Sequence, residues 1–375
     1  MNAMTHPALK QLIERVRTAA ADVLPLCIRG GGTKDFYGGA PAGESLDTTP
    51  LSGISSYEPS ELVITALAGT TLTELEATLA ERNQYLPFEP PRFNPGGTVG
   101  GMVAAGLSGP ARASAGSVRD YVLGATLLNG RAELLTFGGQ VMKNVAGYDI
   151  SRVLAGSMGI LGVIAEVSLK VMPSAPAEVT LEFKCNEAQA LQQLNHWSGQ
   201  PLPLDASCWT DAGSTGTLHV RLRGANAAVE ASCLRLGGRR IGTADAQTIW
   251  TGCRDHTDAW FAMTNGDQAD LWRLSVPQAT PVLPLTGAHL IEWHGGLRWY
   301  RLPTDQAGAI REIARAAGGH ATLFRRANDT AAAVDVRGVQ PFDALSAPLT
   351  RIHQRLKHEF DPHDIFNRGR LYSGM

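Results

Sequence analysis

The chain has 375 residues, 44% of them hydrophobic, and its 33 Lys and Arg against 35 Asp and Glu leave a formal charge of −2 at pH 7. At roughly 100–200 residues per domain, this length allows about two domains with a substantial core. No dense basic run occurs, which excludes nucleic acid or an anionic membrane surface as the main partner.

The five cysteines, Cys27, Cys185, Cys208, Cys233 and Cys253, contain no Cys-x-x-Cys pair. That spacing excludes an iron–sulfur or zinc site built from neighbouring ligands and does not look like a secreted disulfide framework. No metal is expected. Met1–Arg17 lacks the apolar core of a signal peptide, and no window approaches about 18 unbroken apolar residues. A cytoplasmic setting is expected, with any attachment to the inner face of the membrane supplied by partner subunits.

In chain order, Leu9, Leu12, Ile13 and Val16 predict an amphipathic helix over 7–20. Pro25–Arg29 reads as a short apolar strand, and Leu62–Leu67 as another that ends at Gly69. Thr71 and Glu74 have capping-box spacing, and Leu72, Leu75 and Leu79 continue as the buried face of a helix. Tyr121–Leu128 is strand-like, Asn129-Gly130 signals a two-residue hairpin turn, and Arg131–Phe137 would return antiparallel. Val163–Val171 alternates as a half-buried antiparallel strand does, which argues against a Rossmann sheet. Pro173–Pro176 marks a boundary. Beyond it, strand–helix alternations carry Trp197, Trp209, Trp250, Trp260, Trp272, Trp293 and Trp299. Ser346–Phe360 reads as a helix that closes on Asp361-Pro362.

Glycine is over-used, with 41 residues in the chain against an average usage of about 7%, and much of the excess falls in three clusters within 25–175. Arg29-Gly30-Gly31-Gly32-Thr33 follows a strand, where successive N–H groups without Cβ atoms can form an anion nest suited to pyrophosphate. Pro95-Gly96-Gly97-Thr98-Val99-Gly100-Gly101 opens a helix and continues to Ser108-Gly109, letting backbone lie flat against a planar ring or a phosphate. Gly156, Gly159 and Gly162 lead straight into the strand at Val163 and Ile164. None of the three is a strand–GxGxxG–helix unit or a Walker loop.

These clusters, with Gly116-Ser117-Val118-Arg119-Asp120, Gly147-Tyr148-Asp149 and a final Phe366-Asn367-Arg368-Gly369-Arg370, resemble the FAD-binding domain of the vanillyl-alcohol oxidase, or PCMH, type. Within that type the chain is most similar to the FAD-binding E subunits of bacterial glycolate oxidases. The resemblance is densest over the first 175 residues, and Lys143–Arg152 and Leu271–Pro277 are its most subunit-like stretches. It implies an α+β fold, with a PCMH-type FAD-binding domain of two α/β subdomains over 1–175. An α+β cap would span 176–340, and 341–375 would return to the first domain. Arg29 to Thr33 would hold the pyrophosphate. Pro95, Gly96, Gly97, Thr98, Gly100, Gly101, Ser108 and Gly109 would follow the ribityl chain and isoalloxazine, supported by Gly116, Ser117 and Asp120. Gly159, Gly162, Val163 and Ile164 would hold the adenine end, with Asp149 and Asn367 completing the cofactor set. Family members with a covalent flavin carry histidine after the first glycines; Thr33 implies non-covalent FAD.

Oxidation of a small 2-hydroxy acid requires a carboxylate clamp and a base. Arg273 and Arg298 are the candidate clamps, and His294 the candidate base. The metal and substrate motif of related D-2-hydroxyacid dehydrogenases is absent, since His294-Gly295-Gly296 lacks its aspartate, asparagine and second histidine. Three readings stand: an FAD-bearing subunit working with the flavin D subunit and iron–sulfur F subunit of a glycolate oxidase, a stand-alone FAD dehydrogenase or oxidase of 2-hydroxy acids or alditols, and an assembly scaffold without flavin.

Overall fold

Apolar periodicity builds the first elements of the computed structural model, which describes residues 6–139, 149–211, 213, 215–262, 269–327 and 338–375. Helix α1 (Pro7–Asp22) buries Leu9, Leu12, Val16 and Ala19 along one face, and Val23 closes it in the left-handed conformation. Strand β1 (Leu26–Arg29) pairs in parallel with Glu44–Asp47 and ends at the first glycine cluster. Helix α2 (Leu72–Ala80) starts where Thr71 accepts a 3.1 Å hydrogen bond from the Glu74 N–H, and buries Leu72, Leu75 and Leu79. Helix α3 (Val99–Ala105) begins inside the second cluster.

A five-stranded antiparallel sheet runs in the spatial order Ile54–Glu58, Val63–Leu67, Val163–Lys170, Val122–Leu128 and Leu134–Gly138. Val163–Lys170 is its central strand and is covered on both faces, which corrects the half-buried expectation. Its polar positions alternate because they are partnered: Ser168 shares a 2.9 Å hydrogen bond with Thr65, and Glu166 accepts one from Ser55. The hairpin forms, but not with the expected turn. Pairing closes at Leu128 and Leu134, so the connection is 129–133, and the Asn129 carboxamide oxygen accepts from the N–H groups of Arg131 and Glu133, both at 2.9 Å. Ala132, not Gly130, takes the positive φ. Gly130 is needed because a Cβ would meet the Asp361 carboxylate at 2.5 Å.

The second half is an eight-stranded antiparallel sheet. Its order is Arg239–Ile241, Ala177–Cys185, Gly216–Gly224, Leu204–Thr210, His289–Glu292, Leu297–Leu302, Asp270–Ser275 and His320–Arg325. The two halves meet at a strap around Glu89. Arg221 is almost fully buried and bridges Glu89 at 2.6 Å to Asp205 at 2.5 Å, while Arg223 bonds Glu178 at 2.8 Å and reaches Glu89 at 3.4 Å. Three residues on, the Arg92 N–H donates to Asp255 at 2.9 Å and its guanidinium pairs with Glu76.

The terminal helix Ala347–Phe360 returns to the first half, where Phe360 joins the core under the five-stranded sheet. Buried Lys357 donates to the carbonyls of Ile160 (2.9 Å) and Phe366 (2.8 Å) and pairs with Asp361 at 2.6 Å. Lys357→Met leaves the Asp361 carboxylate buried without its counter-charge, and the expected loss is about 3 kcal/mol. Urea denaturation at constant m-value measures it, and a loss below about 1 kcal/mol would mean that the pair is not what fastens the tail.

Candidate cofactor cleft and adjoining chamber

The glycine clusters are used in different ways. In the first, a Cβ on Gly30 would meet Thr98 Oγ1 at 2.3 Å, and one on Gly31 would meet the Gly96 carbonyl at 1.6 Å. These two glycines therefore let the first loop lie directly on the second. Gly32 has φ +67°, the conformation that turns the chain back. Among the described residues no acceptor takes the N–H of Gly30, Gly31, Gly32 or Thr33, so four neighbouring donors stand at the loop.

In the second cluster Thr98 caps α3 by accepting from the Gly101 N–H at 3.3 Å. Gly100 is packed, with a Cβ position 2.7 Å from Ala68. Gly101 is different, because an added Cβ would meet only its own cap, Thr98 Oγ1, at 3.1 Å and would project into open space. In the third, Gly156, Gly159 and Gly162 have φ of +84°, +75° and +146°. Gly159 and Gly162 are also tightly met, by Asn367 Nδ2 and the Leu128 carbonyl, each 2.5 Å from a Cβ position.

Together these segments wall one open cleft. It gathers Arg29 to Thr33, Thr98, Gly100, Gly101, Gly159, Gly162, Ile164 and Asn367 from the expected set. Asn367 accepts from the Ile28 N–H at 2.7 Å and donates to the Met158 carbonyl at 2.6 Å, tying the first cluster to the third. Arg370 completes the seam by donating to the carbonyls of Asp35 (3.1 Å), Tyr37 (2.8 Å) and Gly39.

Other expected residues are not brought to this wall. Gly96 lies behind the first loop, with Pro95 and Gly97 beside it, and Val163 points into the core shared with α1. Gly116, Ser117 and Asp120 form a helix start, in which Asp120 accepts from the Ser117 N–H at 2.8 Å and its hydroxyl at 2.9 Å. Asp149 is occupied by Arg152 at 2.9 Å and Ser151 at 2.8 Å. Gly147 and Tyr148 lie outside the described residues. Conversely, Lys34 lines the cleft although no motif assigned it a role. Burial lowers its ammonium to about 8 against the opposing pull of Asp255, and it stands 3.3 Å from Thr33 Oγ1.

A tighter chamber lies beyond the end of α3, and Ser108 and Gly109 line it rather than the cleft. Arg273 reaches it, its guanidinium 5.0 Å from the Trp293 ring. His294 does not, because its ring nitrogens are taken by Ser114 and Ser207, both at 3.0 Å, and burial lowers it to about 4. Arg298 is spent on the carbonyls of Gly295 and Thr280, both at 2.8 Å. A different histidine, His256, lines the chamber from the left-handed end of helix Thr243–Asp255. Only an aromatic neighbourhood marks it, and that neighbourhood is assembled from distant segments.

Glu292 in the same wall accepts from Trp299 Nε1 at 2.7 Å. Burial raises its carboxyl to about 7, against the Trp299 hydrogen bond and the charge of Arg273 and together with the charge of Glu89. The folded chain therefore keeps a proton that the unfolded chain loses above the ordinary carboxylate range, so this group reduces stability progressively as pH rises from about 4.5 to about 7. Glu292→Gln keeps an acceptor for Trp299 and is expected to be neutral near pH 4.5 and stabilising by up to about 3 kcal/mol at pH 8. Denaturation at the two pH values checks this, and a pH-independent difference would contradict it.

The FAD binding domain family matches residues 8–138. Glycolate oxidase subunit GlcE of Escherichia coli (strain K12) is 42% identical over 364 residues, covering 97% of each chain. Glycolate oxidase subunit GlcD of Bacillus subtilis (strain 168) is 27% identical over 183 residues, which are 48% of this chain but 39% of that one. Among solved structures, alkyldihydroxyacetonephosphate synthase superposes with a TM-score of 0.64 at 16% identity, covering 96% of this chain and 74% of its own, a likeness of fold alone. The glycine-lined half is thus an FAD-binding domain of the PCMH type, FAD is its cofactor, and the chain belongs to the family of glycolate oxidase subunit GlcE.

Proposed function

We propose that the chain is the FAD-bearing subunit of a glycolate oxidase complex and takes part in its flavin-mediated electron transfer. The observation that carries this reading is the row of N–H groups from Gly30 to Thr33, without acceptors among the described residues, beside the open space at Gly101. When bound, FAD supplies two-electron oxidation of a C–H bond and one-electron transfer to a carrier. The chain's own part is to hold it. The N–H row takes phosphate oxygens, Gly101 leaves room for a flat group against α3, and Asn367 with Arg370 keeps the clusters in register. Lys34 adds a partly desolvated positive charge at the wall. Thr33 has no ring nitrogen to bond the flavin, so the cofactor is held non-covalently.

The partners in this reading are a flavin-bearing D subunit and an iron–sulfur F subunit. Among the described residues no group of His, Cys, Asp and Glu could hold a metal, and no helix is long and apolar enough to cross a membrane. A place at the inner face of the membrane would come through the partners. The functional division follows the sheets, with 1–175 holding the cofactor, 176–340 covering it and 341–375 closing it.

The purified chain is expected to be yellow, and acid precipitation to leave the colour in the supernatant; a yellow pellet would refute the non-covalent bond. Gly101→Val is expected to fold with an unchanged far-ultraviolet spectrum and to bind FAD at least about tenfold more weakly, an effect of about 1.4 kcal/mol, measured by flavin fluorescence titration. In the reconstituted complex, glycolate-dependent dye reduction should fall when this chain is omitted. Full activity from the D and F subunits alone would end the electron-transfer assignment.

A further inference from the structure

Lys34 stands in the wall of the cofactor cleft, and packing does not account for its charge. Among the described residues no carboxylate lies within ion-pair distance of its ammonium, which bonds Thr33 Oγ1 at 3.3 Å. The Phe93 ring lies against it, its centroid 5.5 Å from Nζ. Burial lowers the group to about 8 although Asp255 pulls it upward. A charge withdrawn from water without a close partner costs free energy, and a methionine would fill the same space without that cost.

The charged groups around Lys34 are occupied with one another. Asp255 is paired with Arg254 at 2.7 Å and accepts from the Arg92 N–H at 2.9 Å. Asp35, on the same loop, is paired with Arg29 at 2.6 Å. Arg370 of the tail is turned to the carbonyls of Lys34 and Tyr37, and burial keeps the Tyr37 hydroxyl protonated. On the Phe93 side stand Arg325, 5.8 Å from that ring, and His256, 5.2 Å from it. His256 is neutral, because burial and then the charges of Arg325 and Arg273 push it well below its ordinary range. At pH 7 Lys34 therefore holds its proton, and the negative charge that matches it has to arrive with the ligand.

The place of Lys34 in the cleft decides which negative charge that is. The N–H row from Gly30 to Thr33 already serves phosphate oxygens, which are charged in every state of the cofactor. Lys34 follows the last member of that row and leans on Phe93, which shares one apolar cluster with Ala105 and Leu107 at the end of α3. A ring that continues along α3 past Gly101 comes to this end of the cleft, away from Cys27, Ile28 and Thr48. An isoalloxazine ring gains negative charge only on reduction, when two electrons and one proton leave it with one net negative charge. A cation beside it favours that form over the oxidised one.

We infer that Lys34 sets the reduction potential of the bound flavin, its ammonium standing as counter-charge to the reduced isoalloxazine. The inference rests on the reading that this chain carries FAD for electron transfer, and it adds which side chain tunes that cofactor. At pH 7 two electrons from the substrate oxidised in the complex and one proton from water enter the ring, while Lys34 keeps the proton it already holds. Where the oxidised state has lost the Lys34 proton, the same reduction draws a second proton from water, to Nζ.

Reductive titration of the FAD-loaded full chain with dithionite, against reference dyes from about pH 6 to about pH 10, tests this. At pH 7 Lys34→Met should shift the balance toward oxidised flavin about tenfold, a fall of about 30 mV in a two-electron midpoint potential. The wild-type chain should take up one proton per two electrons at pH 7. With a tenfold preference that count rises by about half a proton between about pH 8 and about pH 9, a rise that Lys34→Met should lack. Lys34→Arg keeps the charge and should restore the potential without the extra proton, because a guanidinium stays protonated throughout. An unmoved potential in Lys34→Met, or an extra proton that persists in Lys34→Arg, overturns the inference. If Lys34→Met does not retain FAD, the wild-type profile decides, and a count that stays at one across that window overturns it. These potentials are independent of dye reduction by the complex. A chain that the complex needs but whose potential ignores Lys34 sinks the inference alone, and a Lys34-dependent potential in a chain that the complex can spare sinks the electron-transfer role alone.

Discussion

One carboxamide holds the cofactor half in register. The Asn367 side chain has an N–H donor on one side, from Ile28, and a carbonyl acceptor on the other, from Met158. Only a group that accepts at one end and donates at the other satisfies both, and the backbone at 367 adopts a positive φ of 45°, which asparagine tolerates better than most residues. The residue's own N–H also bonds the Leu26 carbonyl at 2.9 Å, so the tail runs as a short parallel rung beside β1. Through this residue the loop with the free N–H groups, the third glycine cluster and the terminal segment become one rigid frame. Gly159 belongs to the same constraint, since any side chain there would displace the carboxamide.

A second, electrostatic constraint sets the angle between that frame and the eight-stranded sheet. Arg221 is removed from water and is compensated by carboxylates from both halves, Glu89 and Asp205, while its guanidinium lies 4.9 Å from the Trp250 ring. Buried ion pairs of this sort contribute little net stability but penalise any arrangement that separates them. Glu89 also accepts from the Ala111 N–H at 3.0 Å, so the same carboxylate fixes the chain just after Gly109. The chamber wall therefore inherits its geometry from the junction.

Much of the cofactor half was legible in the sequence because its signals are local. The Thr71 cap, the helical stripe of α1 and the strand that starts at Val163 straight after the third glycine cluster depend on a few neighbouring residues, and each is found where the pattern puts it. What was misread depends on partners far along the chain. Gly130 looked like a turn residue, yet it is small for the sake of Asp361, and Ala132 takes the strained conformation. Gly30 and Gly31 line the cleft as the pattern suggested, but what demands their missing side chains is the close approach of Thr98 and Gly96. His294, flanked by tryptophan and glycine, is held by Ser114 and Ser207, whereas the histidine on the chamber wall is His256, among the rings of Phe93, Phe261, Trp299 and Phe324. No spacing rule within a single segment carries that information.

The tail seam has a consequence for the order of events during synthesis. Asn367 bonds residues 339 and 209 positions earlier in the chain, so the frame around the first loop cannot close when that loop leaves the ribosome. The glycine-rich half is translated early and must wait, with its N–H groups open to water, until the entire second sheet and the returning helix have been made. The cleft is therefore a post-translational object: its two walls are encoded first, and the stitch that joins them is encoded last.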